Sequence, residues 1–147
     1  MTVSCQMDVF SKEKRSEVMS RIKGRDTKLE VKVRSQLFRD GFRFRKNDKR
    51  YPGKPDILLP KYKTAIFING CFWHNHANCK YAYVPKTRRK FWMEKFKKNK
   101  ERDKKNLSLL KKMGWKVIIF WECRLKKDFD FQFSTIIKHL AKASEKL

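Results

Sequence analysis

The chain has 147 residues, with 39 Lys and Arg against 15 Asp and Glu, for a formal net charge of +24. That length suits one domain that buries roughly two-thirds of its unfolded surface, and a hydrophobic share of 40% with twelve Phe and four Trp excludes general disorder. No apolar run approaches the ~20 residues needed to span a bilayer, and self-repulsion of this size points to a polyanionic partner, such as nucleic acid.

Residues 1–10 read as a flexible N-terminus and 11–147 as a single domain. Ser11 to Ile22 forms a basic amphipathic stretch suited to a short helix. Thr27-Lys28-Leu29-Glu30 has the pattern of a capping box, with Leu29, Val33 and Leu37 at helical spacing and Gly41 as a stop. Phe42 to Arg45 alternates apolar with basic, as a half-buried strand does. Tyr51-Pro52-Gly53-Lys54-Pro55 predicts a turn, and Asp56 to Leu59 a short strand. Thr64 to Ile68 is a continuous apolar run suited to a central strand covered on both faces. A cysteine- and histidine-rich loop follows, then a long helix over Thr87 to Met113 closed by Gly114. Lys116 to Trp121 predicts a second buried strand, and Phe131 to Leu147 a final amphipathic helix. Strands alternating with helices imply an α/β sheet layered with helices.

The segment Gly70-Cys71-Phe72-Trp73-His74-Asn75-His76-Ala77-Asn78-Cys79 carries the densest chemistry, answered downstream by Trp121-Glu122-Cys123. Met1 to Asp8 has no signal-peptide core, so a cytoplasmic location is expected. Disulfides are not expected in that compartment. Cys71, His76 and Cys79 follow a Cys-x4-His-x2-Cys spacing, with Cys123 ending a strand after 43 intervening residues. Three thiolates and one imidazole are a common closed zinc set, able to pin a loop to a sheet. With all four positions filled by protein, such a zinc is structural. The alternative is a set of buried thiols beside a surface histidine.

His74 is then left beside the knot, free to titrate around neutral pH. On the long helix, Trp92, Phe96, Leu107 and Leu110 make one stripe, and the same count lands on Asn99 and Asp103. An inward carboxylate costs several kcal/mol unless it is paired or metal-bound, which makes Asp103 a candidate for a site or for an internal ion pair. The capping box alone accounts for Glu30. Asp56 says more: Pro55-Asp56 opening a strand, with a second buried strand soon after, resembles the PD-(D/E)XK nuclease core, where a carboxylate holds Mg2+ against a phosphate. The second half of that motif is missing, because Ile68-Asn69-Gly70 supplies neither acid nor lysine.

Taken together, Arg25 to Glu30, Pro52 to Asp56, Ile66 to His74, Pro85 to Trp92, Asn99 to Asp103 and Gly114 to Cys123 resemble the very-short-patch repair (Vsr) endonucleases. These are specialised PD-(D/E)XK relatives, and the segments run in that family's order. The resemblance implies a restriction-endonuclease-like mixed sheet flanked by helices. It also implies an enzyme that nicks one DNA strand 5′ to the thymine of a T:G mismatch, a lesion left by deaminated 5-methylcytosine. A cytosine-5 DNA methyltransferase is the implied functional companion. Asp56 would bind Mg2+ with the backbone carbonyl of Ile68. His74 would activate the attacking water or assist at the phosphate, while Glu30 and Asp103 would order metal-bound water and the histidine. Cys71, His76, Cys79 and Cys123 match the family's zinc ligands. Asn69 departs from members that carry a histidine there, and an amide cannot carry a proton at neutral pH. One extra residue separates His76 from Cys79 relative to some members.

Phe72, Trp73 and Trp92 resemble the family's intercalating aromatics, and a mismatch is cheaper to prise open than a normal step. Met19, on the N-terminal basic helix, matches a residue inserted from the opposite groove. Lys86, Arg88, Arg89, Lys90 and the lysines around 95–105 would contact phosphates. A monomer is expected, since an asymmetric mismatch has no two-fold axis. The competing readings are a related nuclease acting on unmismatched or modified DNA, and a zinc-stabilised DNA-binding module without catalysis.

Overall fold

A computed structural model describes residues 27–145. The expected basic helix over Ser11 to Ile22, with Met19, lies outside the described residues. Helix α1 (Lys28–Arg39) starts where the sequence places it, with the Thr27 hydroxyl accepting the Glu30 N–H at 3.3 Å. The strands are β1 (Ile57–Leu59), β2 (Thr64–Asn69) and β3 (Lys116–Trp121), with a 3-10 turn (Pro60–Tyr62) between the first two. Helix α2 (Arg89–Lys112) separates β2 from β3, and α3 (Glu122–Lys127) and α4 (Phe129–Glu145) close the described chain.

The sheet is mixed, in the order β1-β2-β3. β1 runs antiparallel to β2, with Ile57 opposite Ile66, while β2 and β3 are parallel, with Ile66 opposite Ile118 and Asn69 opposite Trp121. The hydrophobic pattern assigns the two faces. Ile57, Leu59, Ile66, Ile68, Ile118 and Phe120 turn to one side and pack with Val33 and Leu37 of α1, Leu125 of α3, and Phe133, Ile136 and Leu140 of α4. Leu58 and Ala65 face the other way, against Leu110 of α2 and Trp115, with Phe67 and Val117 half-buried beside them. The result is a sheet with helices on both faces.

The differences from the sequence reading are local. Phe42 to Arg45 makes only a bridge, the Arg45 and Leu58 amides exchanging two 2.8 Å bonds. The phenylalanines do reach the core, but Asn47 at φ 49° turns the chain away directly afterwards. β3 is not buried throughout, since Ile119 is 37% exposed where α2 no longer covers it. α2 begins at Arg89 rather than Thr87, because Arg88 takes a left-handed conformation at φ 55°. α4 begins at Phe129 rather than Phe131, its first turn closed by the Asp128 carboxylate accepting the Phe131 N–H at 3.1 Å. The sequence pattern does not signal α3, which moves Cys123 from a strand end into the first turn of a helix.

Candidate active site and metal knot

A cleft of about 1330 Å³ opens at the C-terminal end of β2, and Glu30, Asp56, Ile68, Asn69, His74 and Asp103 all line it. Each arrives on a different part of the chain. Asp56 is delivered by the turn before β1, whose Gly53 sits at φ +78° and passes so close to Phe67 that an added Cβ would lie 3.1 Å from the ring. The carboxylate is half-buried, and its Oδ2 accepts the Ile68 N–H at 2.6 Å, which ties the entry of β1 to β2. The contact that Ile68 makes with Asp56 is therefore through its amide. Burial pushes the Asp56 carboxyl up to about 7, with the nearby Glu30 charge adding to that shift and the Ile68 amide and Arg34 opposing it.

Glu30 is only 4% exposed, so capping does not exhaust its role. Its Oε2 lies 3.5 Å from Arg34 and has no hydrogen-bond partner among the described residues. Two carboxylates thus share a confined wall in a strongly cationic protein. Hard oxygen donors carrying excess negative charge suit a hard divalent cation.

His74 and Asp103 meet as the helix count requires. His74 Nδ1 is 2.6 Å from Asp103 Oδ2, which orients the ring across the space between the loop and α2. One turn earlier, Asn99 donates to the Trp73 carbonyl at 3.1 Å. The helix therefore grips consecutive loop residues with two polar side chains from its apolar stripe. Asn69 also lines the cleft, opposite Trp121 across the parallel ladder.

On the far side of the loop, ligand atoms of Cys71, His76, Cys79 and Cys123 lie within 4.8 Å of one another. His76 Nδ1 is 3.5 Å from Cys123 Sγ, close to the ~3.5 Å that ideal Zn–S and Zn–N bonds imply for a tetrahedral site. The Cys123 N–H donates to Cys71 Sγ at 3.4 Å. His76 stacks flat on Trp121, with centroids 3.9 Å apart and planes 7° apart, an orienting contact that has no signal in the sequence. Burial pushes the Cys71 thiol up to about 12, so this buried sulfur needs a cation beside it to exist as thiolate. The donor set could hold a metal, and its soft sulfur and imidazole chemistry fits zinc.

The aromatics collect beside the cleft. The Phe72 ring contacts Trp73, Tyr83, Trp92 and Phe96 at centroid distances of 5.1 to 5.5 Å. Phe96 is buried, whereas Trp73 and Trp92 are only half-buried and Tyr83 is exposed, so the cluster runs from core to surface. Lys86, Arg88 and Arg89 are exposed next to it, and the Arg88 guanidinium lies 4.3 Å from the Phe91 centroid. Met19 falls outside the described residues. Glu122 and Lys126 also line the cleft, although the sequence pattern marks Glu122 only as the middle of Trp121-Glu122-Cys123 and Lys126 not at all.

The family model for DNA mismatch endonuclease Vsr matches residues 7–80. A protein named type II nicking enzyme V.NmeAIP, from Neisseria meningitidis, is 57% identical over 119 residues, covering 81% of this chain and 84% of its own. The DNA mismatch endonuclease Vsr of Escherichia coli is 45% identical over the same length, covering 81% of this chain and 76% of its own. Type II nicking enzyme V.XorIIP of Xanthomonas oryzae is 38% identical, covering 80% and 86%. Among the described residues no helix is long and apolar enough to cross a membrane. The family profile and these relatives together make the chain a DNA endonuclease, a member of the Vsr family.

Proposed function

We propose that this endonuclease nicks one strand of duplex DNA 5′ to the thymine of a T:G mismatch, in a Mg2+-dependent reaction on a restriction-endonuclease-like scaffold. The observation that carries the reading is the meeting of Asp56, Glu30, His74 and Asp103 around one cleft. The relative named for mismatch cleavage supports the substrate. Asp56 would hold Mg2+, with Glu30 behind it and the Ile68 peptide alongside. When bound, the ion would neutralise charge building on the scissile phosphate. His74 would take a proton from the attacking water through Nε2, because Nδ1 is engaged by Asp103. Asp103 would fix the ring's tautomer and orientation. Asn69 would hydrogen-bond the phosphate without moving a proton.

Cys71, His76, Cys79 and Cys123 would hold a structural zinc that locks the loop bearing Trp73 and His74 onto β3 and α3. Phe72, Trp73 and Trp92 would enter the weakened mismatch step, with Met19 from the opposite groove. Lys86, Arg88 and Arg89 would grip flanking phosphates. The cell context that fits is cytoplasmic repair alongside a cytosine-5 DNA methyltransferase, with the enzyme acting as a monomer. The test is Mg2+-dependent nicking of end-labelled T:G and T:A duplexes by wild type and Asp56→Ala. Strand-specific nicking of T:G alone, lost in the variant, supports the proposal. Equal cutting of both duplexes favours a related nuclease, and binding without cutting favours a non-catalytic module.

A further inference from the structure

β2 ends in Ile68-Asn69-Gly70, which lacks the acid and lysine that complete a PD-(D/E)XK core. The short helix that follows the adjacent strand supplies both. Asn69 pairs in register with Trp121, and the next residue, Glu122, opens α3 on the wall of the same cleft that holds Asp56. Lys126 lies one helical turn on, lines that cleft too, and its Nζ is 2.6 Å from Glu122 Oε1. The carboxylate lies beside the start of the loop after β2, since a methyl group added at Gly70 would sit in ordinary contact, 3.6 Å from Glu122 Oε2.

We infer that Lys126 is a phosphate-binding residue of the cleft, holding the incised strand at or next to the scissile phosphate, and that Glu122 is its positioning residue. The inference rests on the function proposed above. Its physical basis is threefold. The Lys126 side chain is 57% exposed, so its ammonium can reach a ligand. One carboxylate oxygen of Glu122 already holds that ammonium at 2.6 Å, so the pair is neutral as a unit, and the carboxylate orients the ammonium rather than offering a second cation seat. A lysine has three donors, and a neighbouring carboxylate uses one of them, leaving others for phosphate oxygens.

The test compares Lys126→Met, Lys126→Arg and Glu122→Gln with Lys127→Met, the control on the same helix outside the cleft. Thermal midpoints and zinc content are checked for each. Three quantities are then measured: single-turnover nicking of a T:G duplex, duplex affinity without Mg2+, and the salt dependence of that affinity. Lys126→Met should slow nicking by about tenfold or more and lower the magnitude of the log–log salt slope by about one. Lys126→Arg should retain most of the rate, Glu122→Gln should fall between, and Lys127→Met should match wild type in rate. A single neutral methylphosphonate at the contacted position should erase the Lys126→Met difference in duplex affinity measured without Mg2+. Wild-type rate and salt slope in Lys126→Met would overturn the inference, as would an equal loss in Lys127→Met. Failure of the underlying reading looks different: wild type then leaves T:G duplexes intact, while the salt slope still reports on Lys126 through binding alone.

Discussion

Replacing Asp56 with Asn should stabilise the Mg2+-free protein while abolishing nicking, and the size of the effect should depend on pH. The fold holds this carboxyl up at about 7 against an ordinary 3.8. Its proton is therefore bound more tightly in the folded chain than in the unfolded one. Folded stability is then fullest in acid and falls as pH climbs through the window up to about 7, because the unfolded chain releases the proton first. A tenfold change in proton affinity corresponds to about 1.4 kcal/mol, so the stability difference between Asp56→Asn and wild type should widen by about 2–3 kcal/mol from pH 5 to pH 8. The amide oxygen of Asn can still accept the Ile68 N–H, so the local geometry is preserved. Urea unfolding of zinc-loaded, Mg2+-free protein at both pH values measures that difference. Millimolar Mg2+ at pH 8 should narrow it by stabilising wild type alone. A difference that stays constant with pH, or equal stabilisation of both proteins by Mg2+, would refute the idea that Asp56 is a strained carboxylate waiting for a cation.

Asp103→Asn should leave the fold intact and slow nicking by about 100-fold, because an amide no longer fixes the tautomer and orientation that the Asp103 carboxylate imposes on His74 Nδ1 at 2.6 Å; circular dichroism and single-turnover kinetics read the two effects separately. Chelation of zinc, or Cys123→Ser, should lower the thermal midpoint sharply and release about one zinc per chain, whereas withdrawing Mg2+ should remove only the stabilisation the ion adds at Asp56, leaving the chain folded while stopping nicking. If about six cationic side chains neutralise phosphates, duplex affinity should fall with salt at a log–log slope near −5, measured by fluorescence anisotropy.

Much of the site is legible in the sequence because its constraints are local or chemical. The Cys-x4-His-x2-Cys spacing leaves few partners for a fourth donor. Asp103 stands out as a charge on a helix stripe that packs on apolar neighbours. Other features depend on how separate segments meet. Thr27 to Glu30 explains a helix start so well that the burial of Glu30 beside Arg34 and the cleft leaves no trace in the local pattern. The stacking of His76 on Trp121 and the arrival of Lys126 depend on the β2–β3 register, a non-local property. The Phe42 to Arg45 alternation is sound as a burial pattern, and only the left-handed Asn47 shortens it to one bridge. Helix starts shift by two residues where a single backbone conformation or an aspartate cap decides them.

Under the proposed function the loop after β2 would interleave its duties residue by residue: Cys71 for the knot, Trp73 for the duplex, His74 for the chemistry, His76 for the knot again. The His76 N–H closes back on the Cys71 carbonyl at 3.0 Å, and the His74 N–H on that of Gly70 at 3.2 Å. Its length is thereby quantised. One residue inserted between Cys71 and His76 would leave every donor present yet swing the imidazole off Asp103, while an insertion beyond Cys79 would lengthen a connection that neither register depends on.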